Sequence, residues 1–232
     1  MVFPLYDDDP LDLPVAPLVT WVLIGLNVLV FLIEVFSGPT MFSMVASLGL
    51  TPASLMRDVP PPGSVPPELT LVTSMFLHNG WEHLIGNMIY LWVFGDDIEE
   101  ALGRVRFVVF YLLAGVLAGL WYTVFNLHAT TPLIGASGAI SGVLAAYLML
   151  RPCAKVSIFV LRAAVRVRAY WIIGGWVVLQ LYLLGSRADD GVAYLAHVGG
   201  LIAGAALFFV LRPAGVALFE CIEQPDEDEA AA

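Results

Sequence analysis

Residues 107–125 read FVVFYLLAGVLAGLWYTVF, a run without a single charged side chain. A helix needs about 20 apolar residues to cross the hydrocarbon core of a bilayer, so this stretch has the length and composition of a membrane span. The whole chain shares this character, because 59% of its 232 residues are hydrophobic and only 13% are charged. A soluble domain carries about 25% charged residues. The composition therefore excludes a disordered protein and argues against a single soluble domain.

Five further stretches resemble this one in apolar character. The second in chain order is short unless it is extended back through Trp81 and His83, which places polar groups in its outer half. The six stretches are approximately 15–33, 84–95, 107–125, 133–150, 170–185 and 192–211. We therefore expect an all-α polytopic membrane protein with six transmembrane helices.

The ten basic residues predict how these spans are oriented. If the first span starts in the cytoplasm, eight of the ten are cytoplasmic, and only Arg57 and Arg187 lie outside. Cytoplasmic loops are enriched in Lys and Arg, so we expect both termini in the cytoplasm. This orientation places Cys153 and Cys221 in a reducing compartment, where we expect free thiols. Because no Arg-rich transit segment is present, a bacterial-type plasma membrane is the expected location.

The net charge of −10 is concentrated at the two ends of the chain. We expect an acidic, Pro-rich N-terminal tail at residues 1–14 and an acidic, solvated C-terminal tail at 213–232. Between them, we expect one membrane domain at 15–212 with a long outer loop at 37–77. The neutral body has no basic patch, which argues against nucleic acid as a partner.

Three short segments place potentially reactive groups inside the predicted spans, where polar side chains are costly and mark functional sites. The segments are 78–87 (HNGWEHLIGN), 135–142 (GASGAISG) and 196–204 (AHVGGLIAG). Ser137, His197 and His83 each lie 13 to 15 residues before the charge that ends their span. At about 1.5 Å per residue, the three side chains lie at one depth, near the outer surface.

Helical periodicity indicates which of these residues face one another. On the sixth span, Gly200 and Gly204 share a face with His197. On the fourth span, Gly138 belongs to a comparable stripe of small residues beside Ser137. Such stripes allow helix backbones to approach closely. If the two stripes meet, the serine and the histidine come toward hydrogen-bonding distance.

Ser137 and His197 have the chemistry of a nucleophile and a base. A neutral imidazole can take the proton of a serine and later give it to a leaving amine. Since the nearest acids belong to the outer loop, we expect a Ser/His dyad whose activity falls below the pKa of His197. A tetrahedral intermediate also needs fixed hydrogen-bond donors. The candidates are His83, Asn87 and the backbone N–H of Ser137.

Together, the three motifs resemble those of the rhomboid family of intramembrane serine proteases. The resemblance covers about residues 70–210. It implies a six-helix core with Ser137 as nucleophile, His197 as base, and His83 and Asn87 serving the oxyanion. It also implies endopeptidase cleavage within the transmembrane segments of single-pass or polytopic membrane proteins in the lipid bilayer. No cofactor and no metal are required.

The resemblance extends to supporting residues. His78 would organise the outer end of the second helix, and Glu99 would have a structural role in the turn that follows it. The supporting glycines are Gly135, Gly138, Gly200 and Gly204. The chain departs from the family in two places. Leu69 and Thr70 stand where many members have Trp-Arg, and Ser141 stands where some have an aromatic residue that stacks on the catalytic imidazole.

Two other classes of function remain open. A catalytically silent, rhomboid-like protein could bind membrane proteins, although the presence of both Ser137 and His197 disfavours this. A small transporter could use the same polar residues to bind its substrate, but no internal repeat supports it. A zinc protease is disfavoured because the spacing of His78, Glu82 and His83 does not match His-Glu-x-x-His.

Overall fold

The computed structural model describes residues 4–7, 16–57, 63–160, 163–188 and 190–221. Helices make up most of this part of the chain. They are α1 (Leu18–Phe36), α2 (Met41–Leu48), α3 (Pro52–Arg57), α4 (Thr70–Thr73), α5 (Trp81–Leu102), α6 (Arg104–Phe125), α7 (Ser137–Leu150), α8 (Ala169–Gly185) and α9 (Tyr194–Leu211). The strands are β1 (Pro4–Asp7), β2 (Lys155–Val160) and β3 (Ala163–Arg168).

The long helices coincide with the apolar stretches of the sequence. Among the described residues, α1, α6 and α9 are long and apolar enough to cross a membrane, and α7 and α8 are shorter apolar helices. Helix α5 contains the short second stretch and extends it to 22 residues. The protein is therefore a mainly helical, multi-pass membrane protein.

Helix α7 is the most enclosed of the long helices, with ten of its 14 residues buried. It packs against α9 through glycines on both helices. A Cβ atom on Gly204 would lie 2.2 Å from the Cα of Gly142, and one on Gly200 would lie 2.1 Å from the carbonyl oxygen of Gly138. Any side chain there would push the helices apart. The two stripes of small residues thus meet, as the periodicity predicts.

Helix α7 begins later than the apolar stretch that predicts it. The stretch starts at Leu133, but this residue pairs with Leu50 in an isolated β-bridge. Gly135 follows with φ +117°, a conformation that favours glycine. Its N–H donates to the carbonyl oxygen of Ser74 at 2.9 Å. The extended segment leaves Ser137 at the N-terminus of the helix.

A small antiparallel sheet, in the order β1-β2-β3, corrects the expectation of an all-α protein. Strand β1 comes from the N-terminal tail predicted at residues 1–14. The Tyr147 hydroxyl donates to Oδ2 of Asp7 in this strand at 2.6 Å. Because Tyr147 lies near the C-terminal end of α7, the sheet lies at the end of that helix remote from Ser137. The rest of the predicted tail lies outside the described residues.

Cys153 and Cys221 form a disulfide, so the expectation of free thiols is wrong. Their Cα atoms are 5.0 Å apart, although 68 residues separate them along the chain. The segment after α9 turns back to the end of α7, where the N–H of Phe219 donates to the carbonyl oxygen of Met149 at 2.7 Å. The prediction rested on the compartment of the thiols and on their distance along the chain, and it did not anticipate this return of the chain.

The start of the predicted C-terminal tail is part of the folded body. Val216 and Leu218 pack against the main hydrophobic core. Residues 213–221 are therefore attached to the body, although most of their side chains are exposed, while 222–232 lie outside the described residues.

The predicted outer loop at residues 37–77 contains the short helices α2, α3 and α4. The hydroxyl of Thr73 donates to the carbonyl oxygen of Leu48 at 2.6 Å, which joins the end of the loop to its first half. The loop is therefore anchored by its own backbone and side chains, although Leu69 and Thr70 replace the Trp-Arg pair of many rhomboids.

Glu99 fixes α1 to the end of α5. Its carboxylate accepts hydrogen bonds from the N–H of Val19 at 3.0 Å, the N–H of Thr20 at 2.8 Å and the Thr20 hydroxyl at 2.9 Å. The first N–H groups of a helix have no intrahelical acceptor, so this carboxylate caps α1. Glu99 is the acid for which the family resemblance implies a structural role.

We expect Glu99→Ala to lower the free energy of unfolding by about 2–3 kcal/mol, because a charged acceptor of three hydrogen bonds is lost from a buried site. Unfolding in detergent micelles, followed by circular dichroism, measures the change. Glu82→Ala, at an exposed position on the same helix, is the matched control. Equal stability of the two variants would contradict the capping role.

Candidate active site

Ser137 and His197 are brought together by the contact between α7 and α9. Nε2 of His197 lies 2.9 Å from Oγ of Ser137, although the two residues are 60 positions apart. His197 is buried, with 8% of its surface exposed. Ser137 is the first residue of α7, so its own N–H and those of Gly138 and Ala139 have no intrahelical acceptor. A nucleophile, a base and free backbone donors therefore occur at one place.

The second nitrogen of the His197 ring has a partner that the sequence analysis missed. Nδ1 lies 2.7 Å from Oε1 of Gln180 on α8. A carboxamide oxygen can only accept, so this contact is a hydrogen bond when Nδ1 carries the proton, and Nε2 is then the acceptor toward Ser137. A lone carboxamide in an otherwise apolar helix was the available signal.

Two aromatic side chains border the His197 ring. The ring of Trp176 on α8 lies 5.7 Å away, tilted by 35°. The Tyr194 ring lies 6.3 Å away and is nearly perpendicular. Ser141 occupies the position where some rhomboids have an aromatic, and its hydroxyl donates to the carbonyl oxygen of Ser137 at 2.6 Å. The aromatic neighbours of the imidazole are thus supplied by α8 and α9 instead of α7.

His83 and Asn87, one turn apart on α5, approach the segment before Ser137. A Cβ on Gly135 would lie 2.6 Å from Nε2 of His83 and 3.8 Å from Nδ2 of Asn87. The N–H of Asn79 donates to Nδ1 of His83 at 3.3 Å, so a neutral ring carries its proton on Nε2. Nδ2 of Asn87 is buried and has no acceptor among the described residues. Two side-chain donors therefore flank position 135.

His78 lies fully buried between α1 and α5. Its N–H donates to Oε2 of Glu34 on α1 at 3.2 Å. Its ring lies edge-on to the ring of His83, with 5.0 Å between the centroids. His78 thus connects α1 to His83. Sequence reasoning did not single out Glu34, which directly follows the predicted first span and lies within α1 in the structure.

Asp190, the described acid closest in sequence to His197, has other partners. Asp190 accepts a hydrogen bond from the Tyr194 hydroxyl and one from the N–H of Val192 at 3.2 Å. The bond from Tyr194 holds the pKa of Asp190 below its usual value. Asp189 lies outside the described residues. Within the described ranges, no group of three His, Cys, Asp or Glu could hold a metal ion.

Residues 67–214 match the model of the Rhomboid domain family. Rhomboid protein 1, mitochondrial, of Saccharomyces cerevisiae is 32% identical over 146 residues, which cover 59% of this chain and 40% of that protein. Rhomboid protease GluP of Bacillus subtilis is 31% identical over 201 residues, 86% of this chain and 35% of that protein. Rhomboid protease GlpG of Salmonella newport is 26% identical over 140 residues, 60% of this chain and 46% of that protein. The chain thus matches less than half the length of each of these three relatives.

Proposed function

Because this chain belongs to the rhomboid family, we propose that it is an intramembrane serine endopeptidase that cleaves the transmembrane segments of other membrane proteins. The 2.9 Å contact between Oγ of Ser137 and Nε2 of His197 is the observation that carries the proposal. The names of two relatives, GluP and GlpG, as rhomboid proteases add support.

The first half of the reaction forms an acyl-enzyme. Nε2 of His197 takes the hydroxyl proton of Ser137 while Oγ attacks the scissile carbonyl carbon. The tetrahedral intermediate then collapses, the imidazolium gives its proton to the amine nitrogen, and the C–N bond breaks. The new amino terminus leaves, and the remaining substrate is joined to Ser137 as an ester.

Water completes the reaction. Nε2 of His197 takes a proton from a water molecule whose oxygen attacks the ester carbon. The second tetrahedral intermediate releases the carboxylic acid product, and the proton returns to Oγ of Ser137. This step needs a water-accessible cavity, because hydrolysis cannot proceed in dry hydrocarbon.

We assign three groups to the stabilisation of the negative oxygen in each intermediate. They are the backbone N–H of Ser137, Nε2–H of His83 and Nδ2–H of Asn87. Donors fixed in a low-dielectric site stabilise developing charge without reorganising during the reaction. The buried, unpaired Nδ2 of Asn87 supports this role, since an acceptor on the substrate would supply the hydrogen bond it lacks.

The chemistry restricts the substrates. A peptide bond inside a helix has its carbonyl hydrogen-bonded within that helix, so the helix must unwind locally before attack. This favours transmembrane segments with Gly or Pro near the cleaved bond and, by family resemblance, a small residue on its N-terminal side. We place the cleavage in the outer half of a bacterial-type plasma membrane, with six spans and both termini cytoplasmic, since this orientation puts eight of ten basic residues inside. The basic residues alone support this orientation, because it puts the disulfide between Cys153 and Cys221 on the reducing side, where disulfides are rare.

A fluorophosphonate probe tests the proposal on the purified protein in detergent. We expect the probe to label the wild type and not Ser137→Ala. We also expect the wild type to cleave a model transmembrane helix that contains glycine. Labelling that persists in Ser137→Ala would refute the assigned nucleophile, and a protein that is neither labelled nor active would favour the silent binding class.

We expect Asn87→Leu to lower kcat by about 100-fold with a smaller change in KM, because one oxyanion donor is lost and the side chain keeps its approximate size. Steady-state cleavage of the model helix separates the two constants. The matched control is Asn126→Leu. Asn126 directly follows α6, and the substitution removes its hydrogen bond to the carbonyl oxygen of Tyr122 in that helix. An unchanged kcat in Asn87→Leu would exclude Asn87 from the oxyanion site.

A further inference from the structure

Helix α8 is apolar along nearly its whole length, yet it contains one carboxamide, Gln180. Only three of its 17 residues, Ala169, Ile173 and Gln180, are buried. The most polar of them therefore faces inward, and just 5% of its surface is exposed. A buried carboxamide is costly unless it is hydrogen-bonded. Its Oε1 meets this need on Nδ1 of His197, at 2.7 Å.

The same helix contacts the imidazole a second time, one turn earlier. Trp176 is four residues before Gln180, so the two side chains share a face of α8. The Trp176 ring lies 5.7 Å from the ring of His197 and is tilted by 35°. Gln180 holds the Nδ1 edge of the imidazole, and the Trp176 ring beside it limits rotation of the imidazole plane.

We propose that Gln180 is a positioning residue that holds His197 in the tautomer protonated on Nδ1, with Nε2 free to accept the proton of Ser137. The inference rests on the proposed function, in which His197 is the base. The opposite tautomer would carry a proton on Nε2, and this nitrogen could not receive the serine proton. A carboxamide oxygen that accepts from Nδ1–H selects the productive form before any substrate binds.

Gln180 keeps its role after proton transfer. When Nε2 takes the proton of Ser137, the ring becomes an imidazolium whose Nδ1–H still donates to Oε1. The interaction strengthens as positive charge develops, because hydrogen bonds to charged groups are stronger than neutral ones. The hydroxyl of Ser137 and the aromatic side chains of Trp176 and Tyr194 also border the ring. The dyad is thus extended by a neutral third residue.

Two substitutions test this role in the full-length protein. Gln180→Leu removes the acceptor at nearly constant size, and we expect kcat for the model helix to fall about 10- to 100-fold while KM changes much less. Gln180→Glu restores an oxygen acceptor, and we expect kcat to return to within about 3-fold of the wild type. Leu179→Met, at the exposed neighbouring position, is the control and should leave both constants unchanged.

A second measurement does not depend on activity. In protein with 15N-labelled histidines, the ring nitrogens report which one carries the proton, and His197→Asn identifies the signals of His197. We expect a protonated Nδ1 in the wild type and in Gln180→Glu, and a mixture of tautomers in Gln180→Leu. Wild-type protein with the proton on Nε2 would overturn the inference even if Gln180→Leu fails to fold.

The outcomes separate this inference from the proposed function. If the fluorophosphonate probe labels Ser137 while Gln180→Leu retains wild-type kcat and tautomer, the positioning role is refuted and the protease assignment stands. If wild-type protein is not labelled at all, the protease assignment fails, whereas the nitrogen signals still decide whether Gln180 sets the tautomer. A loss of stability without rescue by Gln180→Glu would indicate a packing role only and would overturn the proposal.

Discussion

Ser137→Ala is expected to lower kcat for cleavage of a transmembrane helix by about 10⁴-fold or more, and His197→Asn to have an effect of similar size. The first variant removes the oxygen that forms the ester, and the second removes the acceptor that lies 2.9 Å from it. Because the two residues act as one unit, the double variant should be no slower than the slower single variant. Cleavage assays with purified variants measure all three rates.

The chain offers matched controls for both substitutions. Ser186→Ala and His128→Asn change the same residue types at exposed positions, and both should retain wild-type kcat. If the losses in the double variant multiplied instead, the two residues would act independently and the dyad would be wrong. Wild-type activity in His197→Asn would remove the base from the mechanism.

Gly204→Ala is expected to destabilise the protein by about 3 kcal/mol and to reduce labelling of Ser137 by the fluorophosphonate probe. The added Cβ would lie 2.2 Å from the Cα of Gly142, and a backbone atom cannot move aside as the end of a side chain can. The two helices must therefore separate, and the distance between Oγ of Ser137 and Nε2 of His197 should grow.

A glycine-to-alanine substitution outside the contact between Gly204 and Gly142 is the control for Gly204→Ala. Gly174 lies in α8, and a Cβ built on it meets no atom within 4 Å. Gly174→Ala should leave labelling unchanged and be neutral or slightly stabilising, since alanine favours helix over glycine. Unfolding in detergent micelles compares the two variants. Equal stability would contradict the close packing of α7 on α9.

The position of Ser137 opposite His197 could be predicted from the sequence because two signals agree, one for the depth of a side chain in the membrane and one for the direction it faces. Depth is set by distance from a charged border, and facing is set by the spacing of small residues on one side of a helix. Neither signal identifies Gln180. A lone carboxamide in an apolar helix marks it as a candidate, but its helix has no stripe of small residues to show which side faces inward, so its contact with the imidazole could not be inferred without the packing of α8 on α9.

The disulfide and the sheet escaped prediction for different reasons. Cys153 and Cys221 were assigned by compartment, whereas their pairing depends on where the chain returns after α9. Strand β3 shows a visible alternation of apolar and basic residues, Val165-Arg166-Val167-Arg168, which is typical of a strand with one buried face. The excess of positive charge led to its interpretation as a cytoplasmic connection. These residues carry information about both orientation and local structure, and only the orientation was inferred from them.

The link between Cys153 and Cys221 makes part of the backbone a covalent ring. His197 and Gln180 are members of the ring, and Ser137 lies outside it. A cut between α8 and α9 would therefore leave one molecule, which would divide only on reduction. Closing a loop whose ends are 68 positions apart also restricts the unfolded chain, by about 4 kcal/mol in the chain-entropy description. His197 and Gln180 thus belong to a segment closed by a covalent bond, and Ser137 belongs to the open chain that precedes this segment.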